Sequence, residues 1–215
     1  MKRQKKPTKS IKTPVQARSA YTVHVIFEAT VQVLIQLGIS QLTTTKVADR
    51  AGVSVGTLYQ YFPNKNALLC AALQKHLHTV VIAVEQACSA GKGQSVSAMA
   101  TLLVNAFFDA KLSSPDASKA LYAVATELGS ASVVASMTQR AQLALCDMLA
   151  TATDVKFIDL RVVSYMLSTA LIGPVQGLLQ TPMPPGFTQE VKAQLTVMAT
   201  SYLRQAGRAR ELQSS

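Results

Sequence analysis

Thr57 and Gln60 stand three residues apart, a spacing that puts both side chains on one face of a helix. Thr57 can donate or accept a hydrogen bond and offers its methyl to a thymine. Gln60 can make a two-point contact with adenine. Just ahead, Val55 and Gly56 are small enough to let a helix approach its target closely, and Val55 can meet a thymine methyl. The chemistry that suits these residues is reading base edges in a DNA groove. Thr44, Thr45 and Lys46 open a preceding helix and are expected to meet the phosphate backbone across that groove. For each of the three, a plain capping or solvated role is the alternative.

Such groups need two short helices joined by a tight turn, and the intervening residues predict them. Val47, Ala48 and Ala51 form the apolar face of the first helix, with Thr44 as its expected cap. Gly52 supplies the left-handed residue that ends it, because glycine carries no Cβ penalty at positive φ. Val53 plugs the angle, and Ser54 caps the second helix, turning Leu58 and Phe62 inward. Val55, Gly56, Thr57, Tyr59, Gln60 and Tyr61 then face outward, small at the start and hydrogen-bonding further along. That arrangement predicts a DNA-reading helix-turn-helix.

The stretch closely resembles the tetracycline-repressor-type (TetR/AcrR) family of transcriptional regulators over about residues 18–75. The matching residues are Thr44, Val47-Ala48, Ala51-Gly52-Val53-Ser54, Gly56-Thr57-Leu58-Tyr59, Gln60, Tyr61-Phe62 and Asn64-Lys65. Asn66 departs from the pattern, standing where members often carry Glu. By this resemblance Tyr59 and Tyr61 sit where members use aromatic hydroxyls on phosphates or bases, with packing against the first helix as the alternative. Lys65 sits where members grip phosphate at a helix N-terminus, adding its charge to the dipole. The expected DNA-contacting set is therefore Thr44, Thr45, Lys46, Ser54, Val55, Gly56, Thr57, Tyr59, Gln60, Tyr61 and Lys65.

Charge agrees with this placement. The chain of 215 residues has a net charge of +10, and residues 1–75 hold eleven Lys or Arg against two Asp or Glu. Residues 76–215 hold ten against nine. Phosphate neutralisation demands basic residues where the DNA motif lies. Residues 1–16 carry Lys2, Arg3, Lys5, Lys6, Lys9 and Lys12 with two prolines, a composition that cannot fold alone. A solvated arm and an arm that follows the DNA backbone or enters a minor groove both fit it.

Apolar spacing of three and four predicts an all-α chain of about nine helices, with no strand pattern and no internal repeat. Helix one runs from about Ser19 to Leu37, its inward stripe ending on Leu34 and Leu37, and Gly38 ends it. Pro63 stops helix three and Asn64 caps helix four, which continues to about Cys88. The domain boundaries expected are an arm at 1–16, a helix-turn-helix domain at 17–63 and a connector helix at 64–88. A ligand-binding and dimerisation domain at 89–207 and a tail at 208–215 follow. In that last domain Ser114-Pro115 opens helix six, Gly129 closes it, and helix eight spans about Val155 to Leu179.

The uncharged stretch Val162–Leu179 is long enough to test as a membrane span. Ser164, Ser168, Thr169, Gly173, Pro174, Gln176 and Gly177 dilute its apolar signal. A helix buried between protein surfaces is the expectation, with no membrane and no second candidate span. Cys70, Cys88 and Cys146 have no metal spacing and an odd count, which predicts buried free thiols in a reducing cytoplasm. His76 and His78 point to different helix faces, and His24 is alone. No nucleophile with a paired base, phosphate loop or metal cluster is legible, so the chain is expected to be no enzyme and to need no cofactor.

The family resemblance implies a controlling ligand in the C-terminal half, a small apolar or amphipathic effector. Its candidate lining is Phe107, Phe108, Tyr122, Met137, Met148, Tyr165 and Met166, with ordinary core as the alternative for each. Glu127, on an otherwise apolar helix, could select a cationic ligand, with a surface salt bridge as the alternative. A single recognition helix reads too few base pairs, so two copies on a palindrome, about 34–36 Å apart or a multiple, are expected. Ala170, Gly173 and Gly177 permit close helix approach and, with Leu195, Met198 and Tyr202, form the expected homodimer interface. The function implied is a ligand-released repressor. The alternative is a DNA-binding regulator controlled by a protein partner or acting without a ligand.

Overall fold

The computed structural model describes residues 14–209, of which the side chains of 18–208 are placed. Most of the expected basic arm and of the expected C-terminal tail lies outside the described residues. The chain divides into two compact units between Leu68 and Leu69. Nine helices and one small two-stranded sheet make up the described residues.

In the first unit, α1 (Pro14–Gln41), α2 (Thr44–Ala51) and α3 (Val55–Tyr61) are followed by the start of α4 (Lys65–Gly91). Ile26, Val33, Leu34, Val47, Ala48, Leu58 and Leu68 are buried together. Thr30 joins them by donating its hydroxyl proton to the Ile26 carbonyl at 2.7 Å. Gly38 interrupts α1 (φ 71°, ψ 173°), but a further turn carries the helix on to Gln41. That break redirects the stripe. Leu37, expected inward, is 36% exposed, while Ile39 and Leu42 are buried instead. The cap of α2 is Thr43, whose hydroxyl accepts from the Lys46 amide at 3.2 Å, so Thr44 is already inside the helix.

The second unit holds the rest of α4 and α5 (Val96–Leu112), α6 (Pro115–Glu127), α7 (Ala131–Leu149), α8 (Leu160–Gln180) and α9 (Phe187–Ala206). Helix α5 is its centre: Met99, Ala100 and Leu103 are buried with Leu195, Ala199 and Leu203 of α9. Two carboxylates set helix starts here. Asp154 accepts from the Val96 amide at 2.9 Å. Asp159 accepts from the Arg161 and Val162 amides at 3.0 and 3.2 Å. The Asp159 cap explains why α8 begins at Leu160 rather than Val155.

The residues expected to open helix eight form a strand instead, β1 (Val155–Phe157), antiparallel to β2 (Gly207–Ala209). An all-helical reading missed it because three-residue strands have no periodicity to detect. Three helices, Arg18–Gln41, Lys65–Gly91 and Leu160–Gln180, are long and apolar enough to cross a membrane, where one such segment was expected. The first two reach that threshold because their hydropathy includes stripes that pack inside a unit, such as Val33 and Leu34 or Val80 and Val81.

Gly207 is tight against β1. A Cβ there would lie 2.7 Å from Val155 Cβ and 2.8 Å from its Cγ2. Gly207→Ala should therefore cost about 1–3 kcal/mol through overpacking. A lowered midpoint in thermal melting is the expected result, and an unchanged one would contradict the β1–β2 pairing.

Candidate nucleic-acid interface and effector cavity

Local chemistry sets the turn between α2 and α3. Gly52 adopts φ 66° and its amide donates to the Asp49 carbonyl at 3.2 Å, while the Val53 amide donates to Ala48 at 3.0 Å. A residue with a Cβ would be strained at this φ. Ser54 caps α3 by accepting from the Thr57 amide at 3.0 Å, and its Oγ lies 2.8 Å from Thr57 Oγ1. Leu58 and Phe62 are buried, and Phe62 stacks tilted on Phe27 of α1 with ring centroids 5.5 Å apart. This anchors one face of α3 and leaves the other free.

The outer face carries Gly56 and Gln60, both exposed, and Tyr59, 48% exposed. Val55, Thr57 and Tyr61 are half-buried. A Cβ at Gly56 would meet only Ser54 Oγ, at 3.8 Å, so the front of the helix is open to close approach. Thr44 is only 9% exposed, and its hydroxyl shares a 3.0 Å hydrogen bond with the Tyr59 hydroxyl. A phosphate contact by Thr44 is thereby disfavoured, since it lies under the tyrosine that faces outward. The Tyr61 hydroxyl donates to Ser19 Oγ on α1 at 3.2 Å, the packing alternative for that residue. Thr45 and Lys46 are exposed.

Two ammonium groups gather at the end of α1. Lys46 Nζ donates to the Gln41 carbonyl at 3.1 Å, and Lys65 Nζ donates to the Ile39 carbonyl. Each satisfies an orphan carbonyl of the helix terminus and keeps two further donors. Asn64 caps α4, accepting from the Ala67 amide at 2.8 Å. No acidic residue lies on α3, and the carboxylate of α2 belongs to Asp49.

The second unit contains a cavity among α4, α5, α6, α7 and α8, with about 790 Å³ of space free of protein atoms, part of it open to solvent. Of the residues expected to line an effector site, Phe107, Tyr122 and Met137 do so. Phe108 and Met148 are packed in the core instead. Phe108 follows Phe107 directly, which turns it about 100° round the helix. Glu127, Tyr165 and Met166 are exposed outside the cavity, whose α8 wall begins a turn further along, at Ser168.

Sequence reasoning missed the cavity's polar members: Lys111, Thr138, Ser168 and Gln176. Lys111 was findable, since it follows Phe107 by four residues and so shares its face. Burial pushes its ammonium down to about 8. His76 is pushed down to about 4, first by burial and then by the charge of Lys111.

Of the expected interface residues, Gly173 and Gly177 are exposed, with nothing within 4 Å of an added Cβ. Met198 is exposed, and Ala170 and Tyr202 are half-buried. Leu195 is not available: it is 4% exposed, because the α9 stripe of Leu195, Ala199 and Leu203 faces α5. Val162, Tyr165, Met166 and Val197 add large exposed apolar side chains to α8 and α9. Cys88 is buried, which pushes its thiol up to about 12, while Cys70 and Cys146 are half-buried. Among the described residues no group of three His, Cys, Asp or Glu could hold a metal ion.

Known proteins match both units. The family described as "Bacterial regulatory proteins, tetR family" matches residues 26–72. The one described as "Tetracyclin repressor-like, C-terminal domain" matches residues 95–203. Over 66 residues the chain is 38% identical to the HTH-type transcriptional repressor KstR of Mycolicibacterium smegmatis, covering 31% of this chain and 32% of KstR. Over 56 residues it is 41% identical to the HTH-type transcriptional activator FasR of the same species, covering 26% of each. The chain thus spans about a third or less of the length of these curated relatives. A solved TetR-family transcriptional regulator from Mesorhizobium loti shares the fold, with a TM-score of 0.73 at 17% identity, covering 89% of this chain and 99% of that one.

The contrast between cap and reading face is measurable in stability. Ser54→Ala should cost about 1 kcal/mol by removing the α3 cap. Gln60→Ala, at an exposed position, should stay within about 0.5 kcal/mol. Urea unfolding of the two variants decides it, and equal losses would contradict these placements.

Proposed function

The chain belongs to the TetR family of bacterial regulatory proteins, and from that premise we propose that two copies read a palindromic operator and release it when an effector fills the cavity. It is a DNA-binding transcriptional regulator. The output proposed is repression, in a cytoplasm, without a membrane.

One observation carries the reading. The exposed face of α3 presents hydrogen-bonding groups without a single acid, and two lysines bonded at the end of α1 retain free donors. Gln60 and Thr57 read base edges, Gly56 and Val55 allow the approach, and Lys46 and Lys65 take phosphates. Thr45, Ser54 and Tyr59 complete the surface.

Pairing is supported by the exposed apolar side chains and small residues of α8 and α9, since patches of this kind mark protein interfaces. Two recognition helices on a dyad double the sequence read and demand a fixed separation. Effector control is supported by α4, whose Leu77, Val80, Val81 and Val84 line the cavity and whose first residue, Lys65, is a proposed phosphate contact. A ligand that shifts this helix would alter several DNA contacts at once, a coupling of about 1–3 kcal/mol.

Two substitutions separate reading from gripping. Gln60→Ala should relax preference at particular bases, losing about 1–3 kcal/mol on the cognate site. Lys46→Ala should weaken binding to all sequences and flatten the salt dependence by about one unit of slope. Fluorescence anisotropy across a salt series measures both. An intact base preference in the first variant, or an intact salt slope in the second, would contradict the assignment.

A further inference from the structure

We infer that the cavity takes an apolar molecule ending in a single carboxylate, held by the ammonium of Lys111 beside the Tyr122 ring. The inference rests on the reading of this cavity as the effector site and names the chemical class it selects.

Lys111 sits in the last turn of α5 and is only 3% exposed. Its Nζ lies over the Tyr122 ring, 4.5 Å from the centroid. Among the described residues no carboxylate pairs with it; the acids in ion pairs are Glu85, Asp159 and Asp109, each with another partner. Taking an ammonium out of water without a counter-ion is costly, and proteins keep such a group where it serves a ligand or a partner charge. The titration of Lys111 agrees, since burial alone pushes it down and no anion pulls it back.

Lys111 belongs to the cavity wall, with its ammonium over the Tyr122 ring that shares that wall. No fully occluded side-chain nitrogen or oxygen lacks a hydrogen-bond partner among the described residues. Lys111 lines the cavity, so its head keeps access there. Its backbone is fixed by the Ser118 hydroxyl, which donates to the Lys111 carbonyl at 2.7 Å and lies 3.3 Å from His76 Nε2. His76 stays neutral at pH 7 and so adds no second positive charge beside Lys111. Tyr122, whose hydroxyl burial pushes above its ordinary range, is also neutral and offers a second polar contact to a carboxylate.

The remaining wall is apolar: Leu103, Phe107, Val134, Met137, Leu145 and Leu171 among others. One cationic end and an apolar body are complementary to an anionic amphiphile. A cationic ligand would meet Lys111, and Glu127, the acid that would have favoured one, is exposed outside the cavity.

Titration calorimetry with decanoate, decanol and decylamine, below their micelle concentrations, tests the class on the full chain. Wild type should bind decanoate at least about tenfold more tightly than decanol, and decylamine least. Lys111→Met should bind decanoate and decanol alike. The same variant should melt higher than wild type at pH 7, because it removes a buried charge. That gain should shrink as pH rises from about 8 towards the unfolded lysine value of about 10.4, where the folded wild type already carries the neutral amine. Equal wild-type affinities for decanoate and decanol would overturn the Lys111 inference and leave the cavity reading standing. A decanoate preference that survives Lys111→Met would overturn it too. Binding of none of the three would count against the cavity as an effector site itself.

Discussion

A helix of seven residues has almost no stability of its own in water, since its first turn fixes several dihedrals in return for one hydrogen bond. Helix α3 (Val55–Tyr61) therefore depends on what holds it from behind. Leu58 and Phe62 bury its inner face, Ser54 satisfies its first amides, and the left-handed Gly52 sets where it starts. These constraints fall on one side of the helix. The opposite side is left largely free, so Gly56 and Gln60 stay outward, while Tyr59 covers Thr44 through its hydroxyl. The termini of α1 share in this arrangement. Lys46 and Lys65 close the carbonyls of Gln41 and Ile39 and keep donors to spare.

The second unit solves a different problem. Its core is built on α5 and α9, where stripes of Met99, Ala100 and Leu103 meet Leu195, Ala199 and Leu203. A core that closed completely would have no room for a ligand. Space persists on the other side of α5, where Phe107 and Lys111 face α6, α7 and α8. A buried ammonium in that space is destabilising by itself, and a functional site is where such a cost is tolerated. The exposed apolar residues of α8 and α9 are a second cost, and it is the observation on which the proposed pairing rests.

Much of the first unit was legible because its determinants are local. Gly52, Ser54, Asn64 and the inward Leu58 and Phe62 are each specified by residues within a turn or two. Where the sequence offered equivalent choices it misled. The run Thr43-Thr44-Thr45 contains three similar caps, and only the burial of Thr44 beneath Tyr59 selects Thr43. Leu37 continued a helical stripe that Gly38 breaks in space but not in composition. Pairing of β1 with β2 joins segments far apart in the chain and too short to show alternation. Lys111 was not singled out at all, because burial is a property of neighbours rather than of a residue type. The aromatic and methionine positions of the second unit showed the same limit: helical spacing marked Phe107 and Phe108 equally, and only packing separates the cavity wall from the core.

The central claim is that paired α3 helices from two copies lie in successive major grooves of duplex DNA. Hydroxyl-radical footprinting of the genomic fragment that the full chain enriches most strongly tests it directly. The account predicts two dyad-related half-sites whose centres are separated by about one helical turn, 34–36 Å, or a multiple of it. Failure of a well-folded sample to prefer any genomic fragment over random duplex, or a single unpaired patch of protection, would contradict it.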